Sequence, residues 1–213
     1  MDDSVAAKID AFFQAHSTHT YAKCQVLILA GEESKYIYQL VEGRVREYDI
    51  TARGDEIVLN VFKPEAFFPM SLAINGGTSQ YIYEAETDIK VRRVAAGSVV
   101  EFIKANPDVM YDLLSRLYRG IDGLLGRMVH RMADTANGRL AYEIVIEARR
   151  FGAEVADGSY LLDINEKVLA ARAGLTRETV SREIHKLKEA GELEVQSKGI
   201  LVKDIEAVER RVG

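Results

Sequence analysis

NEKVLAARAGLTRETVSREIHKLKEAG, residues Asn165 to Gly191, is the stretch on which the reading of this chain turns. It spells two short helices around a tight turn. Asn165 is suited to cap a first helix from about Glu166 to Ala173, with Val168, Leu169 and Ala173 directed to a core. Gly174 supplies the bend, because glycine takes φ > 0 without steric cost. Thr176 can cap a second helix, in which Val180, Ile184 and Leu187 repeat at i, i+4, i+7 as one buried face. Arg177, Glu178, Ser181, Arg182 and His185 fall on the opposite face. Ala170 is small where two crossing helices need close approach. The pattern predicts a helix-turn-helix.

The exposed face has a chemistry of its own. An arginine can donate two hydrogen bonds to guanine O6 and N7, and a glutamate can accept from cytosine N4. In a helix-turn-helix the second helix enters the major groove with its N-terminal residues at base edges. Thr176, Arg177, Glu178, Thr179, Ser181 and Arg182 occupy that end, and Lys186 and Lys188 continue the charge toward phosphates. Such charges on a lone amphipathic helix would read as a solvated, ion-paired face. The coincidence of glycine bend, capping threonine and basic first turn favours DNA readout instead.

LTRETVSREIHKLKEAGELE, followed by VQSKGILVKD, resembles the winged helix-turn-helix of the Crp–Fnr superfamily of bacterial transcription regulators. Leu193 to Gln196 and Ile200 to Lys203 bracket Ser197-Lys198-Gly199, a short hairpin that would form the wing, with Lys198 on the DNA side. The resemblance implies a homodimer on double-stranded DNA, reading an inverted repeat. Members with R-E-x-x-x-R in this helix read TGTGA-like or TTGAT-like half-sites, and Ser181 directly before Arg182 leans toward the second type. RNA polymerase would be a partner if the regulator activates.

The whole chain sets bounds on this reading. Its 213 residues suffice for two modest domains, each with its own core. No apolar run reaches bilayer length, and MDDSVAAKID is acidic and polar, so no membrane partner and a cytoplasmic address are expected. The single Cys24 excludes an intramolecular disulfide and a four-cysteine metal or iron–sulfur site within one chain. His16 and His19, flanking an STHT turn near Cys24, lack a fourth ligand; no metal is expected. The net charge of −5 includes 13 basic and 14 acidic residues from Thr135 onward. Binding to DNA must therefore rest on a local positive surface and be salt-sensitive.

Upstream, SVAAKIDAFFQAH predicts a helix with Ile9, Phe12 and Phe13 on one side. From Tyr21 to about Arg93, the runs KCQVLILAGEE, YIYQLVEGRVREYDI, DEIVLNVF, QYIYEAETD and IKVRRV alternate with glycine turns, as in an antiparallel sandwich or roll. Gly31-Glu32, and Tyr36 to Arg46 with Gly43 between two strands, resemble the hairpin region of the cyclic-nucleotide-binding-like β-roll. The cyclic-AMP-binding branch of that family carries a glycine–glutamate at its short pocket helix and an arginine–serine or arginine–alanine pair after it. The matching places here read Phe67-Phe68-Pro69-Met70-Ser71 and Ser79-Gln80-Tyr81, with neither carboxylate nor arginine. Losing each buried charged hydrogen bond costs on the order of 1.5 to 3 kcal/mol, which argues against cyclic AMP. Phe67, Phe68, Met70, Ser71, Ser79, Tyr81 and Tyr83 thus line either a pocket for an apolar effector or haem, or one filled by its own side chains. No haem ligand stands out, and no cofactor is assigned.

Pro107 suits the first turn of a long helix. Met110, Leu114, Leu117, Ile121, Leu124 and Met128 alternate at four- and three-residue intervals, the seam of a two-stranded coiled coil. Leu113, Leu125, Val129 and Met132 form a neighbouring stripe placed to cover the β-roll. Gly120, Gly123 and Gly126 interrupt the helix with no role legible. A hinge is placed at Met132 to Gly138. Thr135 then caps a helix holding Leu140, Ile144, Val145 and Ala148, followed by a loop or small hairpin in GAEVADGSY.

The expected fold class is α+β: a β-roll sensor over residues 1–106, a dimerisation helix and hinge over 107–134, and a winged helix-turn-helix over 135–213. The alternative function is a small-molecule-sensing signalling or binding protein built on the roll. An enzyme is not expected, since no Walker loop, G-x-S-x-G elbow or H-E-x-x-H is present.

Overall fold

Alternating apolar residues draw the first part of the chain into two four-stranded antiparallel sheets in the computed structural model, which describes residues 3–52, 54–156 and 158–212. One sheet runs in the order β1 (Thr18–Tyr21), β8 (Ile89–Ala95), β3 (Tyr36–Glu42), β6 (Phe67–Phe68). The other runs β2 (Val26–Ile28), β7 (Ile82–Ala85), β4 (Val45–Ile50), β5 (Glu56–Phe62). Their inner faces share one core of Ile28, Tyr38, Leu40, Val45, Phe68, Tyr83, Ala85, Ile89 and Val91. A second core lies between the first sheet and three helices, α1 (Asp3–Gln14), α3 (Ala96–Ala105) and the start of α4 (Pro107–Ala133). Phe13 and Val99 are fully enclosed there, beside Ile37, Phe67 and Val94.

Three local expectations give way, and one helix is added. The STHT segment is not a turn: Thr18 to Tyr21 pair with Arg92 to Ile89 as β1, which places His19 on a strand. Tyr36 to Arg46 is not a hairpin either. Strand β3 pairs with β6 and β8, whereas β4 pairs with β5 and β7, so the chain changes sheet at Gly43. That glycine has φ +86°, and a Cβ there would meet Asp88 O at 2.3 Å and Thr87 Oγ1 at 2.7 Å. Helix α3 goes unannounced in the sequence, since Ala95, the residue before it, makes no side-chain cap. Finally, Leu125, Val129 and Met132 do not cover the roll but are exposed, and of that stripe only Leu113 packs on the second core.

The chain divides by contact into two units, residues 1–121 and 122–213, and α4 crosses the division. In the second unit, α5 (Ala136–Phe151) opens as expected, with the Thr135 hydroxyl accepting from Gly138 N at 3.3 Å. A four-stranded sheet follows the order β11 (Leu193–Gln196), β12 (Gly199–Val202), β10 (Ser159–Leu162), β9 (Ala153–Ala156). GAEVADGSY thus contains the β9–β10 hairpin, and its Asp157 lies outside the described residues. With α6 (Glu166–Ala173), α7 (Arg177–Glu189) and α8 (Ile205–Glu209), this sheet and α5 enclose Leu140, Ile144, Leu162, Leus 169, 187 and 193, Val180 and Val202. Burying each such side chain stabilises by about 1.5 to 3 kcal/mol. The Arg172–Glu147 ion pair lies inside, beneath α6, and Arg127 pairs with buried Glu143 at 3.0 Å.

Candidate nucleic-acid interface

Asn165 and Thr176 hold the two helix starts. The Asn165 carboxamide accepts from Val168 N at 3.1 Å, and the Thr176 hydroxyl accepts from Thr179 N at 3.2 Å. Each satisfies a donor that the first helical turn leaves open. Between them Gly174 sits in the left-handed region, φ 60° and ψ 42°, and its N–H returns to Ala170 O.

The turn carries a clamp that the sequence reading missed. Arg139 of α5 donates to Ala173 O at 2.7 Å and to Gly174 O at 2.6 Å. Arg131, near the end of α4, donates to Arg172 O at 2.8 Å. Two guanidinium groups thus saturate the carbonyls at the C-terminal end of α6, where the helix dipole is negative. Burial holds Arg131 below the usual arginine range, offset in part by Glu143.

Seated this way, α7 buries Val180, Ile184 and Leu187. Arg177, Glu178, Ser181, Arg182, His185 and Lys186 are exposed, and Thr176 and Thr179 stand at its first turn. Most of the residues expected to read bases thus lie on the exposed side of α7. His185 and Glu189 lie 3.7 Å apart in the open, a pair that adds little to stability. Ser197 and Lys198 form the two-residue turn between β11 and β12, so the wing is one residue tighter than expected. Gly199 begins β12 with φ +139°, and a Cβ there would overlap Leu162 O.

Glu183 is the unexpected member of this helix. It is 3% exposed, accepts from Asn137 Nδ2 at 3.1 Å, and receives Lys186 Nζ at 2.8 and 3.1 Å. Arg182 Nε stands 3.6 Å from it. Burial works against its charge, but the bonds from Lys186 and Asn137 prevail and hold the carboxyl below the usual range. Lys186, read from sequence as directed to phosphates, is thus drawn to its own helix. The signal was present in the i, i+3 spacing of Glu183 and Lys186 beside the apolar stripe.

The residues assigned to an effector pocket separate. Phe67 and Met70 belong to the core beside α1 and α3, Phe67 lying 5.6 Å from the Phe13 ring. Phe68 and Tyr83 enter the roll, where their rings stack at 5.7 Å, with Phe62 4.7 Å and Tyr38 5.9 Å from Phe68. Ser71 is exposed on α2 (Met70–Asn75). Ser79 is buried with its hydroxyl bonded to Tyr81 O at 2.7 Å, and Tyr81 is half-buried. Glu47, opposite Tyr83 in the β4–β7 ladder, accepts from the Tyr83 hydroxyl at 2.7 Å. Burial raises the Glu47 carboxyl above the usual range, partly offset by that bond. Among the described residues no cluster of histidine, cysteine and carboxylate side chains could hold a metal, and no helix is long and apolar enough to cross a membrane.

On α4 the seam is open. Met110, Leu114, Leu117, Ile121, Leu124 and Met128 are between 39% and 58% exposed, and Val109 is the buried residue at its start.

Comparison with known proteins agrees with both units. Residues 18–106 match the cyclic nucleotide-binding domain family, and residues 138–211 match the Crp-like helix-turn-helix domain family. The chain is 24% identical to the global nitrogen regulator of Nostoc sp. over 189 residues, covering 86% of this chain and 83% of that protein. It is 22% identical over 195 residues to the cAMP-activated global transcriptional regulator CRP of Haemophilus influenzae, covering 91% and 87%. The structure of FixK2 from Bradyrhizobium japonicum superposes with a TM-score of 0.80 at 23% identity, over 93% of this chain and 98% of that one.

Proposed function

We propose that this chain, which belongs to the Crp–Fnr superfamily of DNA-binding transcription regulators, acts as a homodimer on an inverted-repeat operator with TGTGA-like or TTGAT-like half-sites. The observation that carries the reading is the division of α7. Val180, Ile184 and Leu187 are buried on one side, and Arg177, Glu178 and Arg182 are exposed on the other. Arginine–guanine and glutamate–cytosine pairing suit such half-sites. Thr176, Thr179 and Ser181 offer hydroxyls beside the base-reading groups, and Lys198 meets phosphate from the wing. Two α7 helices from a symmetric dimer would place half-site centres about 34 Å apart.

The homodimer rests on α4. An apolar row of this length is rarely left to water and calls for a partner; a second copy supplies the same row at heptad spacing. Residues 107–134 are accordingly the dimerisation helix and hinge between a sensor (1–106) and the DNA-binding domain (135–213). If the regulator activates transcription, RNA polymerase is a further partner.

The roll takes a non-cyclic-nucleotide effector or none. Phe67-Phe68-Pro69-Met70-Ser71 and Ser79-Gln80-Tyr81, at the places where the cyclic-AMP-binding members of the superfamily carry a glutamate and an arginine, offer neither. The roll holds stacked rings and the half-buried Glu47 carboxyl, a poor neighbour for a phosphate. The test of the reading as a whole is selection from a random duplex pool with the purified chain. Enrichment of a two-fold symmetric site supports it; enrichment of no sequence would refute it.

A further inference from the structure

We propose that Glu183 is a positioning residue for DNA reading: its buried carboxylate orients the Arg182 guanidinium toward the bases and keeps the Lys186 charge from the phosphates. The proposal rests on the reading of α7 as the helix that contacts base edges.

Glu183 sits where the buried and exposed faces of α7 meet. Its carboxylate is anchored from behind by Asn137 of α5 and reaches outward to two cations. The Arg182 side chain is otherwise loose, 66% exposed, and the only ion-pair partner within 4 Å among the described residues is Glu183. The closest approach is from Nε at 3.6 Å, an ion-pair distance, while the end-on fork that guanine O6 and N7 accept is made by the two terminal nitrogens. Fixing the stem of a long side chain before binding reduces the ordering that binding must impose. Lys186 has the reverse fate. Both carboxylate oxygens of Glu183 lie within 3.1 Å of its ammonium, which is thereby neutralised locally. Each cation that pairs with a phosphate releases counterions and steepens the salt dependence of binding by about 0.9. A lysine held by Glu183 drops out of that count. Glu183 would then favour one sequence over others and restrain attraction to DNA in general.

The test uses the full chain with its selected operator and a random duplex, titrated over a range of salt. E183Q keeps an acceptor for Asn137 and removes the charge. It should bind random duplex more tightly at low salt, steepen the salt slope by about one unit per half-site, and lower the operator-to-random ratio roughly fivefold or more, as expected when one base contact loosens. K186A placed on E183Q should return the slope to that of the unmodified chain, whereas K186A alone should leave the slope nearly unchanged. R182A is the control for the underlying reading. If R182A leaves the selected sequence unaltered, base reading by α7 fails. If R182A relaxes the sequence while E183Q weakens both duplexes equally with an unchanged slope, Glu183 is merely a seat for the helix and the proposal is overturned. No change in E183Q overturns it equally.

Discussion

The hydroxyl of Tyr142 stands over Gly126, so that a Cβ built on this glycine would lie 2.7 Å from it. The Tyr142 ring also packs at 4.1 Å on His130, which bonds Asp134 at 2.7 Å. Gly126 is thus the place where α4 admits an α5 side chain, whereas Gly120 and Gly123 have open space at their Cβ positions. A mid-helix glycine costs roughly 1 kcal/mol relative to alanine. G123A should therefore raise stability by up to about 1 kcal/mol, measured by urea unfolding in a monomeric background. G126A should gain less, and adding Y142F should restore the difference. Equal gains at both positions would show that the Tyr142 contact imposes no constraint.

The open α4 seam predicts assembly. In light scattering the chain should have a mass of roughly twice 23.8 kDa. L117K/L124K should give a monomer with little DNA affinity, because a single half-site forfeits the linked second contact. An unmodified chain that is monomeric at micromolar concentration would rule out the seam as an interface.

Base and phosphate contacts should separate by their signatures. R182A should lose about 1 to 3 kcal/mol per half-site and relax the preference at one guanine. K198A in the wing should weaken all sequences alike and flatten the salt slope by about one unit. Should R177A, E178A and R182A each leave the selected sequence intact, the exposed charges of α7 are a solvated face and nothing more.

The roll should be silent to cyclic nucleotides. Calorimetry with cyclic AMP or cyclic GMP up to millimolar concentration should show no saturable heat. A micromolar dissociation constant would mean that other groups, such as Ser79 with backbone amides, hold a phosphate.

Glu47 predicts a pH dependence with a definite sign. Its folded pKa lies above the unfolded value, because burial penalises the charged form. Its contribution to stability is therefore complete below the unfolded carboxylate pKa and is lost as pH rises through the folded one. E47Q keeps an acceptor for Tyr83 without the charge. It should stabilise the first unit at neutral pH and flatten the fall in stability above the ordinary carboxylate range, followed by unfolding at several pH values. A destabilised E47Q at neutral pH would contradict this.

What the sequence made legible follows from the range of the forces involved. The start and turn of the DNA-reading motif depend on neighbours within four residues, so Asn165, Gly174 and Thr176 could be assigned their places directly. The same locality misled at Gly43. A glycine between two β-rich runs looks like a hairpin turn, yet the strands that β3 and β4 pair with come from residues 56–95, and pairing is decided there. The aromatic residues near the pocket helix could be recognised as apolar. Phe67 and Phe68, adjacent on β6, point to opposite faces, as strand periodicity requires, and so enter different cores. Glu183 drew no role from the sequence because its anchor, Asn137, lies 46 residues upstream.

The clamp on the α6–α7 turn bears on transplantation. Asn165 to Gly191 looks like a self-contained module that could be moved to another scaffold to carry its sequence preference along. Yet the carbonyls of Arg172, Ala173 and Gly174 are closed by Arg131 and Arg139, and Glu183 is anchored by Asn137, all contributed from outside that segment. A graft of the two helices alone would open those carbonyls to water and release the angle between the helices. The smallest portable reader is therefore the piece that begins before Arg131.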